Sequence, residues 1–173
     1  MENISELKQH LHAVEQTRQI SNAMYLLSTS RMKKSMQNIE YNLSYMRRLR
    51  STMKDIISKT KHNMLTDPFI ELTEGGKALF FVITSDKGLC GGYNSAVVNS
   101  ALEKMRDFEK PVLYSLGLKG TEMFTAHGIK PDGSWYGASQ LPSLHLASEL
   151  GEKMVELYDN KEVSEVYIVY TEY

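Results

Sequence analysis

Residues 85–94 read Ser-Asp-Lys-Gly-Leu-Cys-Gly-Gly-Tyr-Asn and are the most chemically suggestive stretch of the sequence. They lie between an apolar run with strand character and a segment with helical periodicity. Loops in that setting often bind phosphate at a helix N-terminus. The glycine spacing, however, matches neither the Gly-x-Gly-x-x-Gly fingerprint nor the Gly-x-x-x-x-Gly-Lys-[Ser/Thr] P-loop. A small α/β phosphate- or nucleotide-binding protein is therefore an alternative interpretation and not the leading one.

Cys90 is the only cysteine, and a thiolate near a helix N-terminus is a candidate nucleophile. Such a nucleophile needs a histidine base. The five histidines form no recognisable pattern with Cys90, and they are His10, His12, His62, His127 and His145. We therefore expect Cys90 to be a buried, inert side chain that packs as a small hydrophobe.

Metal binding has equally little support, because no second cysteine exists to pair with Cys90. His10 and His12 are two residues apart, so they do not share one face of a helix. We expect no catalytic residue, no cofactor and no metal ion in this chain.

Charge divides the sequence into two parts. Residues 1–62 carry eleven Lys/Arg and five Asp/Glu, giving +6, whereas the remainder carries nine and sixteen, giving -7. The basic clusters are Arg31, Lys33, Lys34 and then Arg47, Arg48, Arg50. They fit either a solvated helix face or a surface that meets an acidic partner. Nucleic-acid-binding surfaces often interleave aromatic residues with such charges, and none are interleaved here. A coiled-coil adaptor that binds nucleic acid through a basic arm is therefore only an alternative, and we expect no nucleic-acid partner.

The basic part has the pattern of one long helix. Its apolar residues recur mostly at steps of three or four, the spacing of a coiled-coil seam. They are Ile4, Leu7, Leu11, Val14, Ile20, Met24, Leu27, Met32, Met36, Ile39, Leu43, Met46, Leu49, Met53 and Ile56. No proline or glycine precedes Pro68, so residues 1–62 predict a helix on the order of 80–90 Å long. No later stretch is long enough to cover this seam, so its partner helix belongs to a missing segment or to another molecule.

After a connector at residues 63–76, the pattern changes to that of an α/β domain over residues 77–173. Short apolar runs predict buried strands at 77–84, 111–116 and 165–171, with a weak strand around Trp135. Helical periodicity predicts helices at 93–108, 119–127 and 144–158. This alternation is typical of a small Rossmann-like domain with a mostly parallel sheet. Because such a domain rarely ends at a strand, we expect the chain to be part of a longer protein.

Bulk composition is that of an ordinary soluble protein, with 42% hydrophobic and 24% charged residues among 173. No apolar run approaches the ~20 residues of a membrane span. The N-terminus lacks the apolar region of a secretory signal, and a single cysteine fits a reducing compartment. These features predict an intracellular protein.

Residues 17–34 read Thr-Arg-Gln-Ile-Ser-Asn-Ala-Met-Tyr-Leu-Leu-Ser-Thr-Ser-Arg-Met-Lys-Lys. Together with the 85–94 stretch, this segment resembles the gamma subunit of the F-type ATP synthase. The resemblance implies a non-catalytic central-stalk subunit that rotates inside a hexamer of alpha and beta subunits, coupling proton translocation to ATP synthesis or hydrolysis. It also implies contacts with the epsilon subunit and the c-subunit ring. The implied location is a peripheral complex at the cytoplasmic face of a bacterial plasma membrane.

The resemblance further implies which residues meet the alpha/beta hexamer. On the helix they are Met24, Leu27, Arg31, Lys33 and Lys34, which match a segment near the beta subunits, where the family offers an acidic loop. Lys87 and Cys90 match a loop that approaches the hexamer. The family's long C-terminal helix is absent from this sequence, and it is the partner that the seam lacks. We therefore expect the isolated chain to self-associate through its exposed helix seam.

Overall fold

The computed structural model describes residues 3–60, 77–138 and 142–172. The chain separates into two compact units, Met1–Leu65 and Thr66–Tyr173. The predicted connector at 63–76 lies outside the described residues, and the predicted division into a helix, a connector and an α/β domain stays a prediction.

The described residues of the first unit, 3–60, form one helix, α1, which spans Ile4–Lys59 and has 56 residues. At 1.5 Å per residue its length is about 84 Å. The helix begins after Asn3, whose backbone N–H donates a hydrogen bond to the Glu6 carboxylate over 3.2 Å. Threonine hydroxyls within α1 donate to carbonyls one turn earlier, as Thr17 does to Ala13 over 2.8 Å. No residue of α1 is buried, and the residues of its apolar seam are exposed except for Met36, which is partly exposed.

The described residues of the second unit, 77–138 and 142–172, form a four-stranded sheet with three helices. Its elements are β1 (Lys77–Ile83), α2 (Tyr93–Met105), β2 (Val112–Leu116), α3 (Leu118–Ala126), β3 (Gly133–Trp135), α4 (Leu144–Asp159) and β4 (Val163–Val169). The strands are ordered β3-β2-β1-β4, and every neighbouring pair is parallel. This is the strand order of a doubly wound sheet, and it confirms the predicted long helix plus Rossmann-like α/β fold.

The central strand β1 supplies both halves of the core, because successive side chains of a strand point to opposite faces. Ala78, Phe80 and Val82 pack with residues of α2 and with Phe124 of α3. Leu79 and Phe81 pack on the other face with residues such as Leu150 of α4. Burial on both faces explains why this strand reads as an uninterrupted apolar run.

Some boundaries differ from the predicted ones. The helix α2 ends at Met105, three residues earlier than expected, and Phe108 instead packs edge-on against Phe80 with ring centroids 5.6 Å apart. The strand β4 begins at Val163 because that side chain is already buried in the core under α4. A glycine ends α3: Gly128 has φ +77°, and the following Ile129 N–H donates to the Phe124 carbonyl over 3.0 Å.

Candidate functional site

Residues 84–92 join β1 to α2 and are called the β1–α2 loop. This loop leaves the carboxyl end of the sheet beside the point where the strand order reverses. Doubly wound folds place ligands at this point. Thr84, at its start, donates from Oγ1 to the Leu116 carbonyl over 2.9 Å and accepts from the Gly120 N–H over 3.0 Å. A Cβ at Gly120 would lie 2.5 Å from Thr84 Oγ1, so α3 approaches this closely only through a glycine.

Asp86 ties the β1–α2 loop to two neighbouring segments. Its Oδ1 accepts hydrogen bonds from the backbone N–H groups of Leu118, at 3.2 Å, and Gly137, at 2.9 Å. Leu118 is the first residue of α3, where exposed N–H groups and the helix dipole favour a carboxylate. The Asp86 side chain is 9% exposed. It is therefore a structural anchor that joins the ends of three strands.

Asn94, in the first turn of α2, joins the loop's two ends. Its Oδ1 accepts from the Ser85 N–H over 3.0 Å, while its Nδ2 lies 2.8 Å from Ser85 Oγ and 3.1 Å from Cys90 Sγ. Because these polar side chains bond to one another and to the backbone, the arrangement holds a loop conformation. It gives the phosphate-binding alternative no positive support.

The expectation of a buried Cys90 is wrong. The side chain is partly exposed, and its sulfur lies among the polar atoms of Asn94 and Ser85, which are 3.1 and 3.7 Å away. A glycine-rich loop has too few apolar side chains to enclose a thiol. Next to it, the Tyr93 hydroxyl donates to the Ile83 carbonyl over 3.2 Å. Burial, with a smaller contribution from the Cys90 thiol, raises the pKa of Tyr93.

The tip of the β1–α2 loop points away from this network. Lys87 is exposed and forms no ion pair with any residue that the structure describes. Leu89 is 96% exposed and has φ +63°, in the left-handed region that leucine rarely adopts. The loop therefore displays one cation and one apolar side chain.

On α1, helical geometry groups four of the five predicted contact residues. Met24, Leu27, Arg31 and Lys34 follow one another at steps of three, four and three, so they lie on one face, hereafter the 24–34 face. Lys33 lies on the opposite side of the helix. Within the described part of the chain, none of the three cations forms an ion pair. By contrast, Arg18 pairs with Glu15 over 2.7 Å, and its hydrogen bond lowers the pKa of that carboxyl.

Sequence reasoning missed the residues that hold the β1–α2 loop, namely Ser85, Asp86 and Asn94, and it missed Leu89. The first three carry a recognisable signal, because Ser, Asp and Asn side chains commonly bond nearby backbone groups in loops. Leu89 carries none, since its exposure and left-handed φ become visible only in the folded loop.

Neither a metal centre nor a membrane-crossing helix is found in the described ranges. No group of three or more His, Cys, Asp or Glu side chains there is placed to hold a metal ion. No helix among the same residues is long and apolar enough to cross a membrane.

Comparison with known proteins gives a consistent result. A sequence model of a family described as ATP synthase matches residues 3–173. The chain is 32% identical over 173 residues to the ATP synthase gamma chain of Alkaliphilus metalliredigens, covering 98% of this chain and 58% of that protein. It is 32% identical over 168 residues to the ATP synthase gamma chain of Clostridium acetobutylicum, covering 96% and 58%. A protein from Acetobacterium woodii named "ATP synthase gamma chain, sodium ion specific" is 31% identical over 172 residues, covering 99% and 56%. The chain thus spans less than three fifths of the length of these relatives.

Proposed function

This chain belongs to the family of ATP synthase gamma chains, and on that premise we propose that it acts as a non-catalytic central-stalk rotor subunit. In this role it turns inside the alpha/beta hexamer and couples ion translocation, by protons in the simplest case, to ATP synthesis or hydrolysis. Its further partners are the epsilon subunit and the c-subunit ring. The complex lies at the cytoplasmic face of a bacterial plasma membrane.

The single observation that carries this proposal is the exposure of α1. A helix of 56 residues has an apolar seam along its length, yet none of its residues is buried. A continuous exposed apolar stripe of this kind marks a protein–protein contact. Such exposure suits a shaft, because one side of its helix packs against another helix and the other sides contact the surrounding ring of subunits.

Two surfaces support the hexamer as partner. The 24–34 face presents Met24 and Leu27 beside two cations that lack an ion-pair partner among the described residues. The β1–α2 loop presents Lys87 beside the partly exposed Cys90. Both combine an apolar and a basic component, which suits an acidic partner surface with apolar patches.

Co-purification tests the proposal. The chain is produced together with alpha and beta subunits from the same source, and any complex is assayed for ATP hydrolysis. We expect one chain per hexamer. A gamma chain of full family length serves as the positive control. If the control assembles and this chain does not, the described surfaces are insufficient for binding. If neither chain assembles with the hexamer, the proposed role is wrong.

Charge reversal on α1 tests the 24–34 face. The double variant Arg31→Glu/Lys34→Glu is expected to lower the affinity for the hexamer at least about tenfold, because two carboxylates would then face an acidic surface in place of two cations. Lys33→Glu is the matched control, since it reverses one charge on the opposite side of the same helix. A loss of binding free energy for Lys33→Glu that is half that of the double variant, and therefore equal for each reversed charge, would indicate a general charge effect and would contradict the assigned face.

In isolation, the exposed seam of α1 is expected to pair with a second copy. Light scattering measures this directly, with a dimer or higher oligomer as the expected result. Leu7→Gln and Leu11→Gln together remove two apolar side chains from the seam and should shift the equilibrium toward monomer. A clean monomer for the unchanged chain at high concentration would contradict the expected pairing.

A further inference from the structure

Leu89 combines two properties that a protein rarely gives one residue. Its side chain is 96% exposed, and its backbone has φ +63°. The left-handed conformation costs free energy for a residue with a Cβ, and glycine or asparagine adopts it more readily. Because its side chain is 96% exposed, Leu89 gains almost no apolar burial within the described chain to offset this cost.

The loop on either side of Leu89 is fixed. Before it, the Ser85 hydroxyl donates to the Lys87 carbonyl over 2.6 Å. After it, the Cys90 carbonyl accepts from the Tyr93 N–H over 3.3 Å, and the Cys90 sulfur lies 3.1 Å from the Asn94 amide nitrogen. Asp86 connects the same loop to α3 and to the segment after β3. The exposed leucine is therefore held in place before any partner arrives, which lowers the entropy lost on binding.

The backbone around Leu89 is also unusually open. A Cβ at Gly88 or Gly92 would have no heavy atom within 4 Å, and neither glycine has a left-handed φ. The fold of the described chain thus does not require glycine at these two positions. Bare backbone on both sides allows another protein surface to approach the leucine closely.

From these observations we propose that Leu89 is the apolar anchor of the β1–α2 loop and inserts into an apolar recess of the acidic partner surface. This inference rests on the proposed function, in which that partner is the alpha/beta hexamer. Lys87 lies two residues away and places a positive charge beside the recess. The left-handed backbone turns the leucine outward at the loop tip, so the cost of that conformation is recovered when the side chain is buried in the complex.

Three variants of this chain test the proposal in a binding assay with the purified alpha/beta hexamer. Leu89→Asn keeps a residue that tolerates a left-handed φ but removes the apolar side chain. We expect its affinity to fall about tenfold or more, the size expected for a central anchor. Leu89→Met retains an apolar side chain of similar volume and should bind within about threefold of the unchanged chain. Leu144→Asn is the matched control, because Leu144 is 84% exposed at the start of α4.

Thermal unfolding of the isolated variants separates binding from folding. Leu89→Asn should unfold at the same temperature as the unchanged chain or above it, because it relieves the left-handed leucine. If it binds as tightly as the unchanged chain, or if Leu144→Asn loses as much affinity, the anchor assignment is overturned. If the unchanged chain does not bind the hexamer at all, the proposed function is wrong, and the anchor assignment, which requires that partner, is overturned with it.

Discussion

The α/β unit and α1 are both built from regular apolar patterns, but they use these patterns differently. In β1 the apolar residues from Ala78 to Val82 are buried on both faces of the sheet by helices of the same chain. In α1 an equally regular seam has no buried residue. The difference shows that the periodicity of apolar residues predicts which face is buried but does not identify the surface that buries it. Where helices of the same chain supply the cover, the pattern describes a core, and in α1 we propose that it describes an interface.

The largest expected effect contrasts the two regions directly. Phe80→Ala removes a fully buried ring that stacks on Tyr167 with centroids 5.0 Å apart. It should lower the free energy of unfolding of the α/β unit by about 3–5 kcal/mol, because it removes apolar burial and leaves a cavity. Urea unfolding followed by the fluorescence of Trp135, the only tryptophan, measures this change.

The matched change on α1 is Leu11→Ala. This leucine is exposed, and alanine is a good helix former, so the free energy of unfolding of α1, followed in urea by circular dichroism, should change by no more than about 0.5 kcal/mol. The comparison is made at a concentration where the chain is monomeric. There, a large loss of stability for Leu11→Ala would remove the contrast, since it would show that another part of the same chain covers the seam.

The fold was largely predictable because its signals are local. The continuous apolar run of β1 and the uninterrupted helical pattern of α1 each specify their element without reference to the rest of the chain. The details that failed depend on tertiary contacts. Phe108 leaves the helical pattern to pack on Phe80, and Val163 joins the strand because α4 covers it. Neither contact can be read from spacing along the sequence.

The candidate site was predictable only in part. Helical spacing alone places Met24, Leu27, Arg31 and Lys34 on one face and Lys33 on the other, although it does not show that their charges are unpaired. The β1–α2 loop depends on hydrogen bonds across long separations, such as Asp86 to Gly137 at 2.9 Å. That bond requires the ends of β1 and β3 to be close, which follows from strand order and not from local sequence.

An intermediate effect sharpens the comparison within the α/β unit. Gly120→Ala should destabilise this unit by about 1–3 kcal/mol, because the new Cβ would lie 2.5 Å from Thr84 Oγ1 and 2.7 Å from its methyl carbon. The better helix propensity of alanine offsets only part of this cost. Thermal or urea unfolding measures the net change.

Gly151→Ala is the control for that experiment, since Gly151 also lies within a helix but a Cβ there would meet no heavy atom within 4 Å. Here alanine should stabilise the unit by about 0.5–1 kcal/mol. If both substitutions stabilise the protein, the close approach of α3 to Thr84 is not as tight as the structure has it.

The smallest effect is the response of the α/β unit to alkaline pH. Burial raises the pKa of Tyr93 and of Tyr114, so both hydroxyls keep their protons to higher pH in the folded chain than in the unfolded one. The folded state then binds more protons than the unfolded state once the pH exceeds the ordinary tyrosine pKa of about 10. Stability from this source is fully present below about pH 10 and is lost as the pH rises through the folded pKa.

Tyr93→Phe isolates this contribution. At neutral pH it should cost about 0.5–1.5 kcal/mol, because the hydrogen bond to the Ile83 carbonyl is lost. Above pH 10 its stability should fall less steeply than that of the unchanged chain, since one proton-linked group has been removed. Tyr25→Phe, on α1 where no residue is buried, is the control and should leave the unfolding of the α/β unit unchanged at each pH. Parallel curves of stability against pH for Tyr93→Phe and the unchanged chain would show that burial of this hydroxyl does not contribute to the pH dependence of stability. The contrast between the α/β unit, which has its own core, and α1, which has none, would then rest on apolar side chains alone.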